Sequence, residues 1–148
     1  MTPDVNVLVA ASRADHPHHA VARDWLEGAL AATAQGGAAF TVMPMVLASL
    51  LRLVTSPRIF VVPTPTADAV AFVEALLAVP GVQLAQLGPE WPLLKRLCLA
   101  KALSGNDLPD AWLVAAVEQT GEHLVSFDRD FRKLLGRGRF TLLAPQAH

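Results

Sequence analysis

The stretch LVSFDRDF, residues 124–131, combines a short apolar segment with acidic residues directly after it. The apolar part is predicted to be a buried strand, and Asp128 follows it. The same order recurs at the start of the chain, where Asp4 ends a very short strand and the helix Val5–Ser12 follows. Short apolar strands that alternate with helices are typical of a parallel sheet covered by helices on both faces. The chain is therefore predicted to be an α/β protein.

Between these two segments the hydrophobic spacing predicts further alternation of helices and strands. A polar cap followed by proline at Asp15-His16-Pro17 predicts the start of a second helix, and Gly36-Gly37 its end. The other predicted helices are Met45–Val54, Thr66–Ala78, Trp91–Leu103, Pro109–Thr120 and Asp128–Leu135. The predicted strands are Met1–Asp4, Ala38–Val42, Val82–Leu87, His123–Phe127 and an edge strand, Phe140–Leu143.

Composition indicates one folded domain, residues 1–148, with 53% hydrophobic and 17% charged residues. The net charge of -1 provides no general attraction to a polyanion, so such a partner requires a local basic patch. A single cysteine, Cys98, excludes an intramolecular disulfide and fits a reducing, cytoplasmic setting. The longest apolar stretch, Phe40–Leu51, falls short of the roughly 20 residues that span a membrane. No membrane association is therefore expected.

Three aspartates lie where predicted strands end or helices begin: Asp4, Asp110 and Asp128. In open parallel sheets ligands bind beyond the carboxyl ends of the strands, so these side chains can face one crevice if the first strand and the LVSF strand are neighbours. Carboxylates repel one another unless a cation neutralises them, which predicts a hard divalent metal and phosphate chemistry. The alternative is that each acid only caps or favours a helix start, as Asp107 also could.

Four segments carry a resemblance to a known family: PDVNVLVAASRADHPHHAVARDWL, MPMVLASLLRLVTSPRIF, LPDAWLVAAV and LVSFDRDF. In this order and spacing the chain resembles the PIN-domain family and, within it, the VapC-type ribonuclease toxins of bacterial toxin–antitoxin pairs. The resemblance implies a three-layer α/β/α sandwich with a central, mostly parallel sheet. It also implies cleavage of RNA with Mg²⁺ or Mn²⁺, a cognate antitoxin as partner, and a possible homodimer.

The resemblance assigns roles to particular residues. Asp4, Asp110 and Asp128 match the family's acidic positions and are expected to be catalytic and to bind the metal, with Asp130 as a further metal-binding acid. Either Asp107 or Asp130 would position or deprotonate the attacking water. Two polar neighbours, Asn6 and Ser126, are expected to orient the carboxylates.

One position departs from the family pattern. Ser49 stands where the family usually has a glutamate, and no acidic residue occurs between Glu27 and Asp68. A serine hydroxyl can bond to a metal-bound water but brings no charge, so metal affinity and activity should be weaker. The alternative function is therefore a PIN-fold module that binds RNA or protein and has lost much of its catalysis.

Basic residues are few but clustered. Arg129, Arg132 and Lys133 follow Asp128, and Arg52 flanks the helix that carries Ser49. These four are predicted to hold the RNA backbone, whereas the alternative is an ordinary solvated face. The histidines His16, His18 and His19 are expected to cap and pack near Trp25, although a metal-binding role is the alternative. A phosphotransferase of another α/β family fits poorly, because Asp4-Val5-Asn6 lacks the Asp-x-Asp pattern.

Overall fold

The computed structural model describes residues 1–145. The helices are α1 Val5–Ser12, α2 His19–Ala34, α3 Pro44–Val54, α4 Thr66–Leu77, α5 Trp91–Lys101 and α6 Leu108–Thr120. The strands are β1 Thr2–Pro3, β2 Phe40–Val42, β3 Val82–Leu84, β4 Leu124–Ser126 and β5 Phe140–Leu142. Short 3₁₀ turns cover Gly105–Asp107, Arg129–Lys133 and Arg137–Arg139.

The strands run parallel in the spatial order β3-β2-β1-β4-β5. β1, β4 and β5 pair in parallel, and so do β2 and β3. Met1 joins the two groups, since its nitrogen donates to the Ala39 oxygen at 2.7 Å and its own oxygen accepts from the Thr41 amide at 2.8 Å. The predicted parallel sheet is therefore confirmed, and the first strand lies beside the LVSF strand, which was the condition for the acids to face one crevice.

Burial along the strands shows which positions are covered. Every residue of β1, β2 and β4 is buried, whereas β3 and β5 each expose part of their length. Successive side chains of a strand point to opposite faces, so complete burial means that both faces are covered. The hydrophobic segments of α1 and α6 supply much of this cover, with Val7–Ala11 and Leu113–Val117 buried throughout. The fold is that of an α/β protein with a central parallel sheet, as the sequence predicted.

Several element boundaries differ from prediction, as in β3, which was predicted to end at Leu87 and ends at Leu84. Two of these differences lie next to functional candidates. The second helix begins at His19, not at Asp15-His16-Pro17, because the Asp15 carboxylate accepts two hydrogen bonds from Arg13 at 2.7 and 3.0 Å and caps no helix. The segment after Asp128 is a 3₁₀ turn, Arg129–Lys133, where a longer helix was predicted.

Arg13 is a buried cation that the sequence analysis did not single out. It is only 8% exposed, and besides Asp15 it donates to the Thr64 hydroxyl at 3.0 Å and to the Val62 oxygen at 2.8 Å. Its guanidinium also lies 3.7 Å from the centre of the Phe60 ring. Arg13 thus ties the loop after α3 to the end of α1. Within residues 1–145, no helix is both long and apolar enough to cross a bilayer.

Candidate active site at the carboxyl ends of the strands

Asp4 lies at the end of β1 and is 6% exposed. Its amide donates to the Val125 oxygen at 2.9 Å, which continues the pairing of β1 with β4. One carboxylate oxygen accepts from the Val5 amide at 2.7 Å and so caps α1. The other accepts from the Ser126 hydroxyl at 2.7 Å. Asp4 therefore caps a helix, but its second oxygen joins a polar group on the neighbouring strand.

Ser126 connects the ends of the two central strands. It is fully buried, and its oxygen accepts from the Asn6 amide group at 3.1 Å and from the Asp128 backbone N–H at 3.0 Å. The Asn6 side-chain oxygen accepts in turn from the Phe127 backbone N–H at 3.3 Å. Ser126 and Asn6 thus hold Asp4 and the backbone of Asp128 in one hydrogen-bonded group.

The acidic side chains act on each other's protonation. The pKa of Asp4 is raised to about 6, chiefly by burial and also by the charges of Asp110 and Asp128, although the hydrogen bonds from Ser126 and Val5 lower it. The pKa of Asp110 is also raised, first by burial and then by the charges of Asp128, Asp107 and Asp130. The three predicted catalytic acids therefore share one electrostatic environment.

The remaining acids have local structural roles as well. Asp128 caps the 3₁₀ turn by accepting from the Asp130 amide at 2.9 Å, while the exposed Asp130 lies 3.9 Å from the ammonium group of Lys133. Asp107 accepts from the Ser104 amide at 3.3 Å within a capping box. Its carboxylate caps that short turn, and not the helix α6 for which it was a candidate.

A cleft of about 840 Å³ opens between α3 and the start of α6. Asp4 and Asp110 line it together with Ser49 and Arg52, so four residues predicted from different parts of the chain meet in it. Its other walls are largely apolar: Val5, Pro44, Met45, Val46, Ala48, Leu53, Leu94, Leu108, Pro109, Trp112 and Leu113. The missing glutamate position thus belongs to the same cavity as Asp4 and Asp110, whereas Asp128 is not among the residues that line it.

The basic cluster after Asp128 lies elsewhere. Arg129, Arg132 and Lys133 are exposed and do not line this cleft, and Arg132 lines a separate cavity of about 620 Å³ with Leu135, Arg137 and Phe140. Of the four predicted RNA-binding residues, only Arg52 is in the cleft with Asp4 and Asp110.

The three histidines have structural contacts, but not beside Trp25 as predicted. His18 stacks on Phe127 with ring centres 5.0 Å apart, and a ring nitrogen of His19 lies 2.8 Å from the Ala10 oxygen. Trp25 packs instead against Phe40. The imidazoles are therefore engaged in packing and hydrogen bonding next to the site.

Sequence reasoning missed Glu90 and Trp112. Trp112 lines the cleft, and its indole N–H donates to the Glu90 carboxylate at 2.9 Å; the other Glu90 oxygen accepts from the Gly88 amide at 2.6 Å. Burial raises the pKa of Glu90, but the hydrogen bonds from Gly88, Trp112 and its own amide together outweigh it and lower the pKa. A tryptophan two residues after Asp110 was a usable signal; nothing local marked Glu90.

The carboxylate groups of the predicted acids are ligands that suit a hard divalent cation. Asp4, Asp110 and Asp128 supply carboxylate oxygens, and the raised pKa values of the first two show that their ionised forms are disfavoured without a counter-charge. In the present arrangement of residues 1–145, no three His, Cys, Asp or Glu side chains lie close enough together to hold an ion. Side-chain movement would have to bring the acids together around a metal.

Comparison with known proteins identifies the family. Residues 1–135 match the model of the PIN domain, so the chain belongs to the PIN-domain family, and the resemblance read from its sequence is confirmed. It is 47% identical over 131 residues to the ribonuclease VapC25 of Mycobacterium tuberculosis, covering 88% of this chain and 89% of that protein. Against the ribonuclease VapC31 of the same species it is 46% identical over 133 residues, with the same coverage.

Two solved structures share the fold. One is VapBC2 from Rickettsia felis bound to a DNA fragment from its promoter, with a TM-score of 0.65, 14% identity, and coverage of 97% of this chain and 98% of that one. The other is VapC20 of Mycobacterium tuberculosis, described as a toxin that cleaves the sarcin–ricin loop, with a TM-score of 0.58, 18% identity and coverage of 89% and 92%.

Proposed function

We propose that this protein is a metal-dependent endoribonuclease and the toxin of a type II toxin–antitoxin pair, acting in the cytoplasm. The proposal rests on Asp4, which is buried and has a pKa raised to about 6. The charges of Asp110 and Asp128 contribute to this raised pKa. Similarity to proteins named ribonucleases, at 47% and 46% identity, supports the reaction class. Strongly perturbed acids in a cleft are typical of functional sites.

In this proposal Asp4, Asp110 and Asp128 hold Mg²⁺ or Mn²⁺, and Asp130 is a further metal-binding acid. A bound ion would acidify a water molecule and offset charge on the attacked phosphate. Ser126 keeps one oxygen of Asp4 in place while the Val5 amide holds the other.

Asp130 is the better candidate to position or deprotonate the attacking water. Its exposed carboxylate acts on the pKa of Asp110, so it lies near the proposed metal-binding acids. The Asp107 carboxylate is already hydrogen-bonded to the Ser104 amide.

RNA binding would use two groups of cations. Arg52 is exposed in the cleft and would contact the phosphate near the cut, whereas Arg129, Arg132 and Lys133 would contact the flanking backbone. Changing these last three to alanine should flatten the dependence of log affinity on log salt by roughly 0.7 per lost contact. An unchanged slope would mean that the cluster is only a solvated face.

The proposed partner is a cognate antitoxin. Its support is the fold shared with a toxin–antitoxin structure and the similarity to VapC proteins. A homodimer and a single-domain chain of residues 1–148 remain predictions, which light scattering and limited proteolysis would test.

An RNA cleavage assay with Mg²⁺, Mn²⁺ or EDTA tests the function. Wild-type protein should cut RNA with either metal and lose activity in EDTA, while Asp4→Asn and Asp110→Asn should be inactive. Asp24→Asn is the matched control, since Asp24 is exposed on α2 and outside the cleft. Cleavage that survives both EDTA and Asp4→Asn would refute the proposal.

Ser49 favours a second candidate, a PIN-fold binding module with weakened catalysis. Ser49 lines the same cleft as Asp4 and supplies no charge to a cation. Such a module would bind RNA or a protein without measurable cleavage and would show weak metal binding in calorimetric titration. Robust cleavage by the wild-type protein would exclude it.

A further inference from the structure

Trp112 is an exposed aromatic residue in an otherwise buried stretch of α6. It is 39% exposed, whereas Ala111 and the residues Leu113–Val117 are all buried. A large aromatic side chain gains much from burial, so leaving it in contact with water at one edge of a cleft has an energetic cost. The exposed part of the ring is therefore available to a ligand that enters the cleft.

The orientation of the ring is set from inside the protein. Its N–H donates to Glu90, which is itself 6% exposed and is anchored by the Gly88 amide. Since the only polar atom of the indole is already paired, what Trp112 offers to the cleft is ring carbon. A ring held in this way loses little conformational freedom when a ligand packs on it.

The surroundings of the ring suit single-stranded RNA. Asp110, the proposed catalytic acid, lies two residues before Trp112, and Arg52 faces the same cleft from α3. Single-stranded nucleic-acid sites combine cations for the backbone with aromatic rings on which bases stack, and unpaired bases can be splayed out onto such rings. A cavity of about 840 Å³ is within the range of sites that hold small ligands.

We propose that Trp112 is a stacking platform for an unpaired base of the RNA substrate, and that Glu90 is the positioning residue that holds the ring. This inference rests on the proposed ribonuclease function, because it names the substrate feature that the same cleft recognises. Stacking accepts any base, so Trp112 would supply affinity for unpaired RNA next to the cut more than sequence preference.

RNA binding by ring-substituted variants tests the platform. In an Asp4→Asn background, which should leave RNA intact, Trp112→Leu should weaken binding of a mixed-sequence single-stranded RNA about 5- to 150-fold. Trp112→Phe, which keeps an aromatic ring but not the bond to Glu90, should lose less affinity than Trp112→Leu. Both variants should bind an abasic ribose-phosphate oligomer as the parent does. Trp91→Leu is the matched control, since Trp91 is 60% exposed but does not line the cleft.

Fluorescence and a double-variant comparison test the position of the ring and the role of Glu90. RNA should quench tryptophan fluorescence in the parent and in Trp91→Phe, and much less in Trp112→Phe. Glu90→Leu, which removes both acceptor oxygens, should weaken RNA binding in the parent but have no further effect in Trp112→Phe, where no indole N–H remains. A merely structural Glu90 would produce the same loss in both backgrounds.

The proposal that a base stacks on Trp112 would be wrong if Trp112→Leu left RNA affinity unchanged. It would also be wrong if the variant lost as much affinity for the abasic oligomer as for RNA. The ring would then be a protein-docking surface. If Trp112→Leu fails to fold, quenching that persists in Trp112→Phe overturns the proposal equally. Binding that depends on Trp112 without cleavage by the wild type would keep this inference and refute the ribonuclease. Cleavage with binding independent of Trp112 would do the reverse, and absence of RNA binding would refute both.

Discussion

Asp4 and Glu90 are two buried carboxylates with opposite pKa shifts. Each is 6% exposed, and each accepts hydrogen bonds from a backbone amide and from a side chain. Burial raises the pKa of Asp4 to about 6, whereas the hydrogen bonds to Glu90 outweigh burial and lower its pKa. The pKa of Asp4 also responds to two neighbouring acids, while no charged neighbour acts on Glu90 among the described residues.

The comparison separates a reactive region from a supporting one. At Asp4 the fold holds charges of one sign together, which is unfavourable until a cation or a proton arrives. At Glu90 the charge is satisfied by donors, so this carboxylate fixes the wall of the cleft and the Trp112 ring. The exposed fraction alone does not distinguish the two roles. At Asp4 burial outweighs the hydrogen bonds and two like charges add to its effect, whereas at Glu90 the hydrogen bonds outweigh burial.

The largest expected effect is that of Asp4→Asn, which removes the charge of the buried acid. We expect RNA cleavage to fall by at least about 100-fold, because metal ions supply several kcal/mol of charge stabilisation. The same change should raise the unfolding free energy without metal at pH 8, by up to about 3 kcal/mol, since it removes a disfavoured charge. Cleavage rates and urea unfolding measure both effects. A variant that is both inactive and less stable would show that Asp4 is structural.

The pH dependence of stability should differ between the two carboxylates. The folded pKa of Asp4, about 6, lies above its ordinary value of 3.8, so the folded state binds the proton more tightly. Its contribution should therefore fall by about 3 kcal/mol as pH rises from roughly 4 to 6. Glu90, with a lowered pKa, should contribute stability above its ordinary value of 4.5 that is lost as pH falls.

Urea unfolding without metal at half-unit pH steps would measure this dependence. The fall between pH 4 and 6 should be much smaller in Asp4→Asn, where the raised pKa of Asp110 still contributes, while Glu90→Gln should retain it. An identical pH profile for wild type and Asp4→Asn would mean that the pKa of Asp4 is not raised.

A smaller effect is expected from Ser126→Ala, which removes one donor to Asp4. Leaving a buried carboxylate oxygen unpaired should cost about 1–3 kcal/mol of unfolding free energy at neutral pH and raise the pKa of Asp4 further. Ser12→Ala is the matched control, because the Ser12 hydroxyl donates only to the Val9 oxygen of its own helix. Equal losses in the two variants would argue that Ser126 does not control Asp4.

The smallest expected effect is a change in Mn²⁺ affinity when a further acid is added to the cleft that Asp4 lines. Ser49→Glu adds a carboxylate to the cleft that Asp4 and Asp110 line, and should tighten Mn²⁺ binding about tenfold while lowering stability without metal. Ala75→Glu adds the same charge on an exposed face of α4 outside the cleft and should change neither. Calorimetric titration of both variants would decide; equal Mn²⁺ affinities would place Ser49 away from the metal.

Individual segments show which structural features could be predicted from the sequence and which could not. The alternation of strands and helices and the parallel sheet follow from short apolar runs that such a sheet buries on both faces. The pairing of the first strand with LVSF was only a condition in the sequence analysis, and the structure meets it. The helix start predicted at Asp15-His16-Pro17 was wrong. The sequence pattern does not show that Arg13 donates two hydrogen bonds to the Asp15 carboxylate. The acids were found by their position at strand ends, a local signal, and their metal-binding and catalytic roles stay predictions.

The sequence by itself determined the fold class, the family and the set of acids, because hydrophobic spacing and short motifs are local properties of the chain. Only the tertiary structure decided which residues share the cleft. Ser49 and Arg52 of α3 face Asp110 of α6, and Trp112 finds its partner Glu90 before α5. Such pairings, and the pKa shifts that follow from them, depend on packing between distant segments, which no local pattern records.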